Sequence, residues 1–114
     1  MEEKKIVVVG HVSLDLTPKF NMRTKVSSIG SVIKAGKLVN VGQVAIAPGG
    51  CVTNTGLALK KFGVDVKLIA KVGNDEFAEI LYEKYRKQGV EPNFIVSEED
   101  NTSYTIVLAL NGCD

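Results

Sequence analysis

The first residue of this sequence with chemistry in view is Asp15. Ile6, Val7, Val8 and Val9 run into Gly10, and Asp15 follows in the stretch Gly10-His11-Val12-Ser13-Leu14-Asp15-Leu16. In open α/β sheets, ligands bind just beyond the carboxyl ends of strands. A carboxylate there can accept two hydrogen bonds from vicinal hydroxyls, the contact that sugar recognition requires. The alternative for Asp15 is an Asx turn or a cap in a solvent loop. A second candidate is Pro48-Gly49-Gly50-Cys51-Val52-Thr53-Asn54. Here a glycine pair lets a ligand approach the backbone, and the unpaired N–H groups of the helix that follows can donate to hydroxyl or phosphate oxygens. Asn54 is a poor helix former, placed where its amide can face the same crevice as Asp15. The plainer reading of the glycine pair is a strand-to-helix turn.

Other constellations fail on spacing. His11, Ser13 and Asp15 have the residue types of a hydrolytic triad, but all three lie in one short loop, and a triad draws its members from separate elements. The dinucleotide fingerprint G-x-G-x-x-G would need glycine where Val12 and Asp15 stand, and no helix follows at once. No G-x-x-x-x-G-K-[ST] occurs, which excludes a P-loop. Lys60, Lys61, Lys67 and Lys71 lack interleaved aromatics and read as a solvated face. Asp75 and Glu76 could be taken for metal ligands, yet a place at a helix N-terminus explains them by capping and the helix dipole.

These residues need elements to hold them. The unbroken β-branched run over 6–9 predicts a central strand, buried on both faces of a parallel sheet. From 17 to 47 there is no helical periodicity. Short β-prone pieces over 25–28, 31–34 and 37–46 are separated by Gly30, Gly36 and Gly42, the pattern of a small antiparallel excursion. The last piece is apolar at both parities, so it wants two covers. A helix is predicted over 51–62, with Val52, Leu59 and Phe62 on one face and Gly63 as its stop. A strand over 66–70 follows. A second helix begins near Glu76, capped by Asn74 or Asp75, with Phe77, Ile80, Leu81 and Tyr85 as its buried stripe and Gly89 at its end. Strands over 93–96 and 104–110 complete an α/β order within one domain, residues 1–114.

Composition narrows the function classes. The 114 residues carry a net charge of +1, with 45% hydrophobic and 24% charged residues, the balance of an ordinary globular domain. No block of one sign recruits nucleic acid or a membrane surface. No apolar run approaches the roughly 20 residues that span a bilayer, and the start has no cleavage site of a secretory signal, so a cytoplasmic location is expected. Cys51 and Cys113 have no CxxC spacing and no nearby histidine, and read as free thiols.

Taken together, Gly10-x-x-Ser13-x-Asp15, Pro48-Gly49-Gly50-x-x-x-Asn54-x-x-x-Ala58-x-x-x-x-Phe62-Gly63 and Val72-Gly73-Asn74-Asp75-Glu76-Phe77 resemble the N-terminal landmarks of the ribokinase-like (PfkB) carbohydrate kinases, in order and in spacing. The resemblance covers essentially the whole chain. It implies a truncated ribokinase-like α/β fold, a Rossmann-like parallel sheet whose 17–47 excursion is a β-lid that often doubles as a dimer interface. Asp15 would bind the acceptor hydroxyls, and Ser13, Gly49, Gly50 and Asn54 would line the same pocket. The parent would be an ATP-dependent, Mg²⁺-assisted kinase of a sugar or polyol, with a nucleoside kinase or a non-catalytic binding or dimerisation fragment as the alternatives. Cys51 stands where ribose kinases of the family commonly have lysine, Ala78 replaces a frequent glycine, and Ser103 stands where glycine often follows Thr102. The downstream Gly-Ala-Gly-Asp motif, with the anion hole and catalytic base, and the metal-linked Asn-x-x-Glu motif are absent, so this chain alone is expected to be inactive and to hold no catalytic, nucleotide or metal residues.

Overall fold

A computed structural model of the chain describes residues 5–20, 30 and 32–109. In chain order these form β1 (Lys5–Gly10), β2 (Ser13–Pro18), β3 (Val44–Gly49), α1 (Gly50–Lys61), β4 (Asp65–Gly73), α2 (Glu76–Lys87), β5 (Asn93–Ser97) and β6 (Tyr104–Ile106). The chain divides into two compact units, residues 1–14 with 47–105 and residues 15–46 with 106–114.

The first unit is built on a parallel sheet in the order β1-β4-β5. Its register places Ile6 beside Val66, Val8 beside Leu68, and Ala70 beside both Gly10 and Phe94. Because side chains alternate across a strand, Val66, Leu68, Ala70 and Val72 share one face, and Leu68, Ala70 and Val72 are buried. Helix α1 lies on that face. Its buried residues are Val52, Thr53, Gly56 and Leu57, so the buried stripe is rotated from the one the sequence suggested, and Phe62 is 83% exposed. Gly56 fixes the orientation: a Cβ there would stand 2.2 Å from Leu68 Cδ2, so only glycine lets the helix seat this close to β4. Helix α2 buries Ala78, Leu81 and Tyr85, while Phe77 and Ile80 are half-buried. Phe94 of β5 meets the rings of Tyr82 and Tyr85, at centroid distances of 4.8 and 5.4 Å.

Both helices stop as their glycines predict. Gly63 donates to Lys60 O and Val64 to Leu59 O; Gly89 donates to Arg86 O and Val90 to Tyr85 O. Each is the paired closure of a Schellman motif around a left-handed glycine.

The β1 strand departs from expectation. It is not central: β4 is, and β1 forms the sheet edge among the described residues. Among the described residues it is covered on the face toward α1, and on the other face Val9 is 67% exposed.

A second sheet has the order β3-β2-β6. The residues after Gly10 form no extended loop: only His11 and Val12 separate β1 from β2, since Ser13, Asp15 and Thr17 alternate with Leu14 and Leu16 at strand period. In the second unit the ladder continues irregularly, with Lys19 N–H donating to Gln43 O, Gly42 N–H to Lys19 O and Val107 N–H to Leu16 O. The strand expected over 37–46 is regular only from Val44 onward. Glycines at 36 and 42 interrupt it, and with both parities apolar neither face is specified; Leu38 is fully exposed. Residues 32–34 form no strand, the piece expected over 25–28 lies outside the described residues, and the last strand is confined to Tyr104–Ile106.

Candidate functional site

The carboxyl ends of β1 and β4 face a shallow depression of about 340 Å³, lined by Gly10, His11, Lys71, Val72, Asp100, Asn101 and Ser103. This is where an open parallel sheet places a ligand, because strand ends supply loops rather than side-chain layers. Lys71 forms an ion pair with Asp100, and Ser97 Oγ donates to Asp100 Oδ2 at 3.0 Å. The hydrogen bond from Lys71, then that from Ser97, holds the Asp100 carboxyl below its ordinary value. Both partners are more than half exposed, so the pair orders the rim and adds little stability.

Beside Gly10, the Gly49–Gly50 junction packs on the two-residue link between β1 and β2. Gly50 has φ +88, and a Cβ on it would lie 2.6 Å from His11 O and 3.0 Å from Val12 Cα. Val52 N–H donates to His11 O at 3.0 Å, so part of the α1 N-terminus is spent on this link. His11 N–H donates to Cys51 Sγ at 3.3 Å. Gly50 is thus glycine for packing as well as for any approach of a ligand. Gly49 keeps extended backbone and makes no side-chain cap, and its carbonyl accepts from Thr53 Oγ1 at 2.7 Å. The same Thr53 hydroxyl is hydrogen-bonded to the Tyr85 hydroxyl. Burial pushes the Tyr85 phenol up, against the hydrogen bond it shares with Thr53.

Ser13 is buried at the start of β2. Asn54 is exposed in α1 and borders another shallow depression, with Ala47, Pro48, Thr53 and Ala58. Asp15 is half-buried in β2 and belongs to the second compact unit. The structure therefore joins Gly50 to the link that follows Gly10.

Thr102 was not singled out by the sequence. Its N–H donates to Asp75 Oδ2 at 2.8 Å and its hydroxyl to Asp75 Oδ1 at 2.6 Å, and it accepts Gly73 N–H at 3.0 Å. Asp75 also caps α2, accepting Ala78 N–H at 2.9 Å. Burial pushes the Asp75 carboxyl up, but the Thr102 hydroxyl, the Thr102 N–H and the Ala78 N–H together hold it below its ordinary value. The cap was legible in the sequence; a partner 27 positions away was not. Three hydrogen bonds thus engage the Asp75 carboxylate, and among the described residues no three His, Cys, Asp or Glu side chains gather.

Comparison with known proteins places this geometry. An uncharacterised sugar kinase of Pyrococcus horikoshii is 34% identical over 80 residues, which make up 70% of this chain and 26% of that protein. The solved structure of a carbohydrate kinase from Agrobacterium tumefaciens superposes with a TM-score of 0.70 at 25% identity, over 92% of this chain and 32% of that one. A fructokinase from Xylella fastidiosa, solved with bound ATP, gives 0.65 at 18% identity, over 94% and 30%, a likeness of fold. The chain spans about a quarter to a third of the length of these relatives. The shared fold is α/β and ribokinase-like. The sequence pattern of the pfkB family carbohydrate kinases matches residues 3–112. On that match, and on the strand-end geometry that carries its landmarks, this chain belongs to the pfkB family of carbohydrate kinases.

Proposed function

We propose that this chain is the acceptor-binding, N-terminal part of an ATP-dependent sugar kinase, which transfers the γ-phosphate of ATP to an alcohol group of a sugar or polyol. The observation that carries this reading is the family match over residues 3–112, whose landmarks include the carboxyl end of β1, the start of α1 and the β4–α2 junction. In this reading Asp15 accepts hydrogen bonds from the acceptor hydroxyls, and Ser13, Gly49, Gly50 and Asn54 are further acceptor contacts. Residues 17–47 act as a lid that excludes water from the transfer, and the same lid pairs two subunits. ATP supplies the phosphoryl group and Mg²⁺ neutralises its charge; by the resemblance their contacts lie outside these residues.

The test is ATP-dependent phosphorylation by the full-length protein across a panel of pentoses, hexoses, polyols and nucleosides. Turnover of at least one sugar or polyol is expected, and none by the isolated 114-residue chain. Turnover of nucleosides alone would replace the acceptor class, and no turnover of any compound would contradict the kinase reading.

A further inference from the structure

Capping α2 uses only part of what Asp75 does. The cap needs one carboxylate oxygen, and Oδ1 provides it to Ala78 N–H; an asparagine would cap as well. The second oxygen, Oδ2, accepts Thr102 N–H, and the Thr102 hydroxyl shares Oδ1 with the cap; Thr102 is 3% exposed. Thr102 in turn accepts from the last residue of β4, Gly73. The seating is close: a Cβ on Gly73 would lie 2.5 Å from Asp100 O and 2.8 Å from Thr102 N.

What this fixes is the 100–103 segment. Asp100, Asn101 and Ser103 form one wall of the depression at the ends of β1 and β4. Ser103 also accepts the backbone N–H of Leu14, at 3.0 Å, and Leu14 is the residue before Asp15. From these contacts we infer that Asp75 and Thr102 form a positioning pair, which sets the 100–103 wall and the start of β2 for the acceptor sugar. The inference rests on the kinase reading above and deepens it by naming residues that act through others. Displacing a reacting group by about 1 Å costs on the order of 10²-fold in rate, so a wall held by three hydrogen bonds on Thr102 has a measurable effect on acceptor affinity.

The experiment uses the full-length protein with D75N, T102V, T102S and the D75N/T102V pair, measuring KM for the acceptor and for ATP separately, with Tm alongside. D75N keeps the cap and removes the charge; T102V keeps the shape and removes the hydroxyl. Each single variant is expected to raise the acceptor KM about tenfold, the loss of roughly one hydrogen bond, with the ATP KM within about twofold of wild type. The double variant should cost less than the two singles combined, since both substitutions loosen the seating of the same segment, and T102S should return the acceptor KM to near wild type. An unchanged acceptor KM in T102V and D75N, even with a lowered Tm, would overturn the positioning role, as would an equal rise in both Michaelis constants. If D75N does not fold, the contrast of T102V with T102S decides by the same criterion. A wild-type protein that phosphorylates no sugar or polyol overturns the kinase reading itself, and the positioning role with it.

Discussion

Gly50 shows how one residue can satisfy two readings. Its φ of +88 lies in the left-handed region, and the space its Cβ would take is filled by the His11 carbonyl. Left-handed backbone costs a non-glycine residue about 1–2 kcal/mol, and a steric clash of this kind costs about 1–3 kcal/mol more. Gly50→Ala is therefore expected to lower stability by roughly 2–5 kcal/mol, read as a shift in urea midpoint at constant slope; an unshifted midpoint would refute the packing. Asp75 carries a pH signature of the same network. Its folded-state pKa is depressed below 3.8, so its contribution is complete above the unfolded value and is lost as pH falls through the folded one. The Tm difference between wild type and D75N should be full at pH 6 and close progressively below about pH 4. A difference that stays constant down to pH 2 would contradict a depressed carboxyl.

At the scale of elements, α1 and α2 are coupled by one buried pair. Thr53 of α1 is bonded both to Gly49 O and to the hydroxyl of the fully buried Tyr85 of α2. Thr53→Val leaves two groups unsatisfied, at about 1–3 kcal/mol, whereas Tyr85→Phe leaves Thr53 still donating to Gly49 O and should cost about 1 kcal/mol or less. Equal losses in thermal or urea unfolding would contradict this asymmetry. The helices themselves were legible because period, cap and stop agreed: Asp75 caps, and Gly63 and Gly89 close. The face of α1 was misread because Gly56 has no hydrophobic weight in a periodicity count, yet it governs the approach to Leu68. Residues 13–18 alternate at strand period, but their place just past Gly10 and a strand end reads equally well as a loop. The long strand expected over 37–46 shrank to its last part since no buried face fixed its register. Of the candidate site, glycines and caps could be read locally; the Asp75–Thr102 and Thr53–Tyr85 pairs depend on tertiary proximity.

At the scale of the molecule, the described residues of the first unit cover one face of the parallel sheet. Val7, Val9 and Ile95 lie on the other, each more than half exposed, and β1 offers an unpaired edge among the described residues. Parallel sheets are ordinarily covered on both faces, and an apolar edge recruits further chains. The 114-residue chain should therefore self-associate, its weight-average mass rising with concentration in sedimentation equilibrium, and Val9→Lys should weaken the association. A strict monomer at high concentration would contradict an open apolar face.

The central claim, that these residues hold the acceptor half of a sugar kinase site, is met most directly by Asp15→Ala in the full-length protein, with Michaelis constants measured for acceptor and ATP. Losing a carboxylate that accepts two hydroxyl hydrogen bonds costs about 3 kcal/mol, or on the order of 10²-fold. The acceptor KM is expected to rise by about that factor with the ATP KM nearly unchanged; an unchanged acceptor KM for every sugar turned over would refute the assignment of Asp15 to the acceptor.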